Sequence, residues 1–409
     1  MQKKIIIDTD PGVDDILALL FTLSHPAELD VQLVSLSFGN VSLKNCFRNA
    51  ATVFHALNTL GLPGPHAVPR TSPINLAIGH DKPLLAADVV DASQFHGADG
   101  LGGTHETHPQ YTAQRWLQDF ERSSPPTTAV DDLRKGYTVL PREASEEILH
   151  LLRTNEPDTI TIVAIGPLSN IAKAALLDPE TFSRVKEVVV MGGVVEQNGN
   201  ATPFSEFNAF ADPEAAAVVF ATTNVPNVAT PSFPGVDWAF LKQQLKRAVK
   251  VTLLPLDITR AHPIYEKEWK ANCTGSPLAE WVNLFTPRSF RLLHATDEEK
   301  CIVIHDALCI WYVLNSENSA FGVDTLDLRM ETTGEWTRGM CCVDHRKTPP
   351  PVVDSQPGYA NASSNKWLDP GAWRDIGRGN QVRVLTRTPG QEEWAKVFLR
   401  DVFGTARIA

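Results

Sequence analysis

The sequence predicts an α/β protein with one doubly wound, parallel-rich (mixed) central sheet and helices on both faces. Three observations predict it. Short apolar, β-branched runs recur along the chain, apolar residues at helical spacing follow them, and Gly- or Pro-containing breaks mark the joints. Continuous apolar runs are how strands covered on both faces read, because neither side meets water.

Residues 4–7 form the first such run, which Pro11-Gly12 breaks. Ile16, Leu17, Leu20 and Leu23 then recur at helical spacing until Pro26 stops the pattern. Residues 31–38 read as a strand ending at Gly39-Asn40, and a helix follows near 44–60. Residues 143–153 read as a helix and 159–165 as a strand, after which Gly166-Pro167 leads into a helix carrying Leu168, Ile171 and Ala175. Residues 188–191 make a strand closed by Gly192-Gly193, 212–220 a helix, and 251–256 a further strand. Such alternation winds a parallel sheet. Ligands of these sheets bind beyond the carboxyl ends of the strands, so the functional residues are expected there.

No shift in composition divides the chain, which predicts a single domain over 1–409. Two segments read as surface insertions, one near 110–136 with Ser123-Ser124-Pro125-Pro126, the other near 345–369 with Pro349-Pro350-Pro351.

The 37 basic and 48 acidic side chains leave a net charge of −11 with no basic stripe, which argues against a nucleic-acid partner. No stretch approaches the roughly 20 apolar residues of a membrane helix, so no membrane partner is expected. The six cysteines form no Cys-x-x-Cys pair and read as reduced thiols. The N-terminus meets Asp8 after three apolar residues, too few for a signal-peptide core. A cytoplasmic location is expected, and the sequon at Asn361 carries no weight.

Asp8, Asp10, Asp14 and Asp15 fall within eight residues, where the first strand gives way to a helix. Carboxylates this close repel one another unless a cation sits among them. A helix N-terminus offers only roughly 0.3–1 kcal/mol, too little for several charges. A hard divalent ion with oxygen ligands answers the problem; calcium suits it better than zinc because no His or Cys lies near in sequence, while the spacing alone does not separate calcium from magnesium. Asp14 or Asp15 taken alone would pass for ordinary helix-capping carboxylates. Asp-Thr-Asp also resembles the opening of phosphatases that use an aspartyl nucleophile. Gly12 stands where their Thr or Val belongs, and two further aspartates go unexplained, so that alternative is weaker.

The run Asp8-Thr9-Asp10-Pro11-Gly12-Val13-Asp14-Asp15 resembles the N-terminal fingerprint of the inosine–uridine preferring nucleoside hydrolase family. Further segments resemble it in the same order: Gly39-Asn40, Phe95-His96-Gly97, Ile165-Gly166-Pro167-Leu168-Ser169-Asn170, Met191-Gly192-Gly193, Asn200, Glu206-Phe207-Asn208, and His305-Asp306. The agreement runs from residue 3 to about residue 403, with Ala307 standing where the family usually has proline.

The resemblance implies a Rossmann-like nucleoside hydrolase fold and hydrolysis of ribonucleosides to ribose and free base. It implies Ca2+ held by Asp10, Asp15, Asp306 and the Ile165 main-chain carbonyl. It also implies that Asp14 and Asn208 hold the 2′- and 3′-hydroxyls, that Asn200 and Glu206 take the 5′-hydroxyl, and that Asn40 and Met191 line the sugar pocket. Asp10 would be the base that activates water, and His305, or else His96, the acid at the leaving base. A homodimer or homotetramer is implied as well. Trp281, Phe285, Phe290 and His294 fall in a segment that lies near the base in the family, although their helical spacing suits core equally. A ribose- or nucleoside-binding protein without catalysis is the competing class, and it would have no need of a water-activating carboxylate.

Overall fold

The computed structural model describes residues 2–60, 72–86, 88–122, 128–224, 233–292, 294–296, 299–346, 371, 373 and 379–404. Its frame is a nine-stranded sheet. Seven of the strands are β1 (Lys3–Thr9), β2 (Leu29–Leu36), β3 (Ile74–Ile78), β4 (Tyr137–Val139), β5 (Ile160–Ala164), β6 (Glu187–Met191) and β7 (Val251–Leu254). From one edge the order runs β4-β3-β2-β1-β5-β6-β7, then Val382–Arg387, then Gly322–Leu326. All neighbours are parallel except the last pair, which is antiparallel, so the sheet is mixed but mostly parallel.

The period of two in a strand distributes β1 between two cores. Ile5 and Ile7 belong to one apolar cluster with Ile16, Leu17 and Leu20, while Ile6 belongs to the other with Ile171, Ala175 and Phe220. All three isoleucines are at most 1% exposed, so each contributes roughly 1.5–3 kcal/mol by burial. Helices therefore cover both faces. Helix α1 (Val13–Leu23) and helix α2 (Leu43–Leu60) lie on the first, with Ala307–Leu314 and Gln391–Phe403; Ala144–Thr154, Ser169–Leu177 and Pro213–Ala221 lie on the second.

From β1 the chain steps outward through β2, β3 and β4, then returns to place β5 on the other side of β1. The carboxyl ends of β1 and β5 thus flank the point where the winding reverses, which opens a crevice there.

Residues 123–127 of the first predicted insertion lie outside the described residues, and the rest of 110–136 is more regular than a surface loop. Turns and short helices at Pro109–Tyr111, Trp116–Phe120 and Ala129–Lys135 occupy it, and Phe120 packs on Phe47 of α2 with ring centroids 5.5 Å apart. Thr128 and Asp131 form a reciprocal capping box that starts the last of these helices. Residues 347–369 of the second predicted insertion lie outside the described residues. Ala307 opens its helix as the first residue after Asp306, so the absent proline costs no helix start.

Candidate active site

The end of β1 delivers the acidic residues. Asp8, the last but one residue of the strand, points into the protein, where Ser35 and Asn170 donate to it. Burial lifts its pKa to about 7 against those two donors. It serves the sheet ends rather than the cavity. Pro11-Gly12 then turns the chain into α1, and Asp15 binds back to the Gly12 N–H at 2.9 Å through Oδ2 and accepts from Thr9 Oγ1 at 2.6 Å through Oδ1. Asp15 is thus a helix cap and a member of the acidic cluster at once.

Asn40, beyond β2, ties two of the aspartates together. Its main-chain N–H donates to Asp10 Oδ2 at 2.7 Å, and its Nδ2 donates to Asp15 Oδ2 at 2.8 Å. Two glycines crowd Asp10. A Cβ on Gly39 would stand 2.0 Å from Asp10 Oδ2, and one on Gly166 would stand 2.5 Å from Oδ1. Both positions therefore exclude a side chain. Asp10 Oδ1, though buried, has no hydrogen-bond partner among the described residues.

Asp306 comes from the far end of the chain, carried in by the helix Ala307–Leu314 packed against α1. Oxygens of Asp14, Asp15 and Asp306 lie within 4.8 Å of one another. Of the predicted ligand carboxylates, this trio contains Asp15 and Asp306; Asp14, predicted as a sugar contact, stands within it, and Asp10 lies beside it through the Asn40 bridge. Burial, reinforced by the neighbouring carboxylates, raises Asp10 and Asp306 well above the usual range and raises Asp14 too. Asp15 is raised by burial against the donors it has gathered. Three crowded, dehydrated carboxylates and an unpartnered oxygen of a fourth fit a hard divalent cation.

Above this floor opens a cavity of about 250 Å³. All the sequence-predicted site residues line it except Asp10 and Asp15, which form the floor beneath. The carboxyl ends of β5 and β6 supply one wall. Asn208 Nδ2 donates to the carbonyls of Ile165 and Met191, at 3.2 Å each, which leaves Oδ1 for a ligand. Glu206 caps the helix Phe207–Ala211, taking the N–H groups of Asn208, Ala209 and Gly193 at 2.9, 3.0 and 2.8 Å. Burial raises its pKa against those three donors. Asn200 Oδ1 accepts from Phe207 N–H at 2.8 Å.

Two histidines, His96 and His305, line the cavity. His96 Nδ1 accepts the Val13 N–H at 3.0 Å, so the ring carries its proton on Nε2, which lies 4.0 Å from Asp14 Oδ1. His305 Nδ1 stands 2.7 Å from Thr259 Oγ1. Burial drives both rings down to about 3, with the positive charge of Arg260 adding to the effect at His305. This departs from the expectation of a ring exchanging protons near neutral pH: at pH 7 both are neutral imidazoles that offer an N–H or a lone pair. Arg288 donates to the Phe95 carbonyl at 3.0 Å and so braces the His96 loop.

The sequence reading missed Ala92, Arg260 and Val303 in the lining, and it named Phe95 and Phe207 only within their motifs. Arg260 had a usable signal, since it follows the carboxyl end of β7. Trp281, Phe285 and Phe290 are core instead, at 0, 0 and 4% exposed, and none lines the cavity. The side chain of His294 lies outside the described residues.

A sugar-sized cavity over an acidic floor at a sheet's switch point, with carboxylate, amide and imidazole groups set among apolar side chains, suits a small hydroxylated substrate. The family model for inosine-uridine preferring nucleoside hydrolases matches residues 5–387. The inosine-uridine preferring nucleoside hydrolase of Crithidia fasciculata is 30% identical over 361 residues, covering 87% of this chain and 92% of that protein. The Leishmania major enzyme of the same description is 31% identical over 353 residues, covering 85% and 89%. A plant nucleoside hydrolase structure superposes with a TM-score of 0.68 at 22% identity, covering 99% of this chain and all of the other, a likeness of fold. The chain belongs to the inosine-uridine preferring nucleoside hydrolase family. It is a glycosidase that hydrolyses ribonucleosides, of a metal-dependent kind, and its acidic cluster is suited to a metal ion.

Proposed function

We propose that the chain is a calcium-dependent nucleoside hydrolase in which Asp10, Asp15, Asp306 and the Ile165 carbonyl hold the ion. The observation that carries this reading is the acidic floor: carboxylates from both ends of the chain meet, dehydrated, directly beneath a cavity lined by hydroxyl-binding groups. A bound calcium ion would acidify a water molecule and bind the vicinal hydroxyls of ribose. Calcium is favoured over zinc by the all-oxygen donor set.

The chain's own residues supply the rest. Asp10 takes the proton of the attacking water, and the two glycines fix its position. Asp14 and the Oδ1 of Asn208 hold the 2′- and 3′-hydroxyls. Glu206 and Asn200 take the 5′-hydroxyl, and Asn40 and Met191 close the sugar pocket. As the C–N bond breaks, the sugar ring becomes cationic, and the surrounding carboxylate and amide oxygens stabilise it electrostatically.

His305 faces the departing base. Thr259 Oγ1 pairs with Nδ1 at 2.7 Å, and in the tautomer in which the hydroxyl donates, the ring proton sits on Nε2 and the neutral ring delivers a hydrogen bond to the nitrogen that receives the electron pair. His96 is the second candidate for this role, and its Nε2 proton is fixed by the Val13 N–H.

Six free cysteines, five of them buried and one partly so, support a cytoplasmic location, and no described helix is long and apolar enough to cross a membrane. The family resemblance supports a homodimer or homotetramer, which sedimentation would test. The test of function is a panel of inosine, adenosine, uridine and cytidine without added phosphate. Release of ribose and free base, stopped by chelation and restored by calcium, is expected. Tight nucleoside binding with no release would instead favour a binding protein.

A further inference from the structure

The turn after β7 grips a neighbouring loop in two ways at once. Leu256–Thr259 is a single helical turn, and Arg260 is its C-terminal cap. Asp257 accepts the N–H groups of Val195 and Glu196 at 2.8 and 2.7 Å. Arg260 donates from Nη1 to the Asn198 carbonyl at 2.6 Å and from Nη2 to the Gly199 carbonyl at 3.1 Å. Side chains three apart share a helix face. One turn therefore holds residues 195–199 by their donors at one end and their acceptors at the other.

The next residue is Asn200. Beyond it the loop mostly closes on itself, with the N–H groups of Asn200 and Ala201 meeting the Ser205 carbonyl at 3.2 and 3.1 Å and Gly199 meeting Pro203 at 3.1 Å. Glu196, Gln197 and Asn198 are exposed, so no apolar packing of their own fixes this stretch. Asn200 and Arg260 both line the cavity, beside Glu206.

We infer that Arg260 is a positioning residue that, with Asp257, sets the enzyme's requirement for a 5′-hydroxyl by fixing the height of Asn200 over the sugar. This rests on the proposed reading of Asn200 and Glu206 as the 5′ end of the site. The guanidinium fork matters here more than its charge, because two carbonyls on successive residues need two donors in fixed geometry.

The experiment compares wild type, Arg260→Lys and Asp257→Asn on a ribonucleoside and on its 5′-deoxy analogue. Lysine keeps the positive charge facing His305 but loses the fork, and Asp257→Asn weakens the other half of the clamp without removing Arg260. On the ribonucleoside each variant should lose roughly 10-fold in kcat/KM, chiefly through KM, as one weakened substrate hydrogen bond would give. On the 5′-deoxy analogue, which has nothing for Asn200 to hold, the loss should stay below about 3-fold, with the pH profile unchanged. Equal losses on both substrates, or none on the ribonucleoside, would overturn the inference. If Arg260→Lys does not fold, Asp257→Asn alone decides. A wild type that cleaves neither substrate would refute the functional reading itself, which separates the two failures.

Discussion

Replacing Asp306 by asparagine should leave the protein at least as heat-stable as the wild type without calcium and less stable than the wild type with it. Oxygens of Asp14, Asp15 and Asp306 lie within 4.8 Å of one another. At an effective dielectric of ~20, each ionised pair at that distance repels by about 332/(20 × 4.8), or roughly 3.5 kcal/mol. Asp306 takes part in two of the three pairs, so Asp306→Asn relieves about 7 kcal/mol at that separation and full ionisation. Proton uptake relieves part of that first, since burial and mutual repulsion raise these carboxylates. In a chelator the variant should therefore melt at or above the wild type. On the proposed reading, calcium would stabilise the folded state by RT ln(1 + [L]/Kd), about 2.7 kcal/mol at a hundredfold excess over Kd. The wild type should then gain several degrees, while the variant, short of one ligand, gains much less. Differential scanning calorimetry of both proteins in EDTA and in calcium reads the four values. The reasoning is refuted if the wild type ignores calcium, or if the variant stays below it by the same margin in both buffers.

Thr259→Val removes the partner of His305 Nδ1, so kcat for inosine should fall roughly 10-fold with KM nearly unchanged, whereas a riboside whose leaving group is a stable anion should be little affected; equal losses on the two would deny His305 its role at the base. Gly166→Ala places a Cβ about where Asp10 Oδ1 lies, 2.5 Å away, and should abolish turnover while circular dichroism stays native; an active variant would show that Asp10 can move freely. The third concerns His25 and Asp401, which join the end of α1 to the C-terminal helix at 3.1 Å. Burial lowers the His25 pKa, but the Asp401 and Phe21 acceptors outweigh it and the net shift is upward from 6.5; burial raises Asp401, but donors from His25 and Arg400 carry it below 3.8. The histidine's contribution is complete below pH 6.5 and is lost as pH rises through its higher folded value, while the aspartate's is complete above 3.8 and is lost on acidification. Asp401→Asn should therefore cost about 1–2 kcal/mol near pH 5.5 and clearly less at pH 8.5, by urea denaturation; equal costs would rule out the charged pair.

Local chemistry made much of this molecule legible. Strand β1, α1, β2, α2, β5 and β6 lie within a few residues of where apolar runs and Gly or Pro breaks predict them. The strands that escaped are those whose stability is borrowed. β3, β4, Gly322–Leu326 and Val382–Arg387 lie toward the sheet's edges, and Gly322–Leu326 carries Asp324 and Thr325 exposed, so no continuous apolar run announces it. The helices of 110–136 were hidden for a related reason: they are short, and they stand by packing on α2 rather than by their own periodicity.

The site divides along the same line. Asp10, Asp14 and Asp15 are readable because a strand end and a helix start, adjacent in sequence, must bring them together. Asp306 was reachable only through the family's motif order, since what carries it to them is the packing of Ala307–Leu314 on α1, nearly three hundred residues later. Protonation is less legible still. His96 and His305 read as ordinary titrating rings until burial, with cationic neighbours, holds both near 3. On the proposed reading that neutrality would matter: an imidazolium facing the same cavity as the acidic floor would compete with a cation for those carboxylates, whereas a neutral ring would leave the charge to the metal and keep an N–H for the base. The burial that deprives both histidines of their proton thus favours a divalent ion below and an uncharged hydrogen-bond donor above.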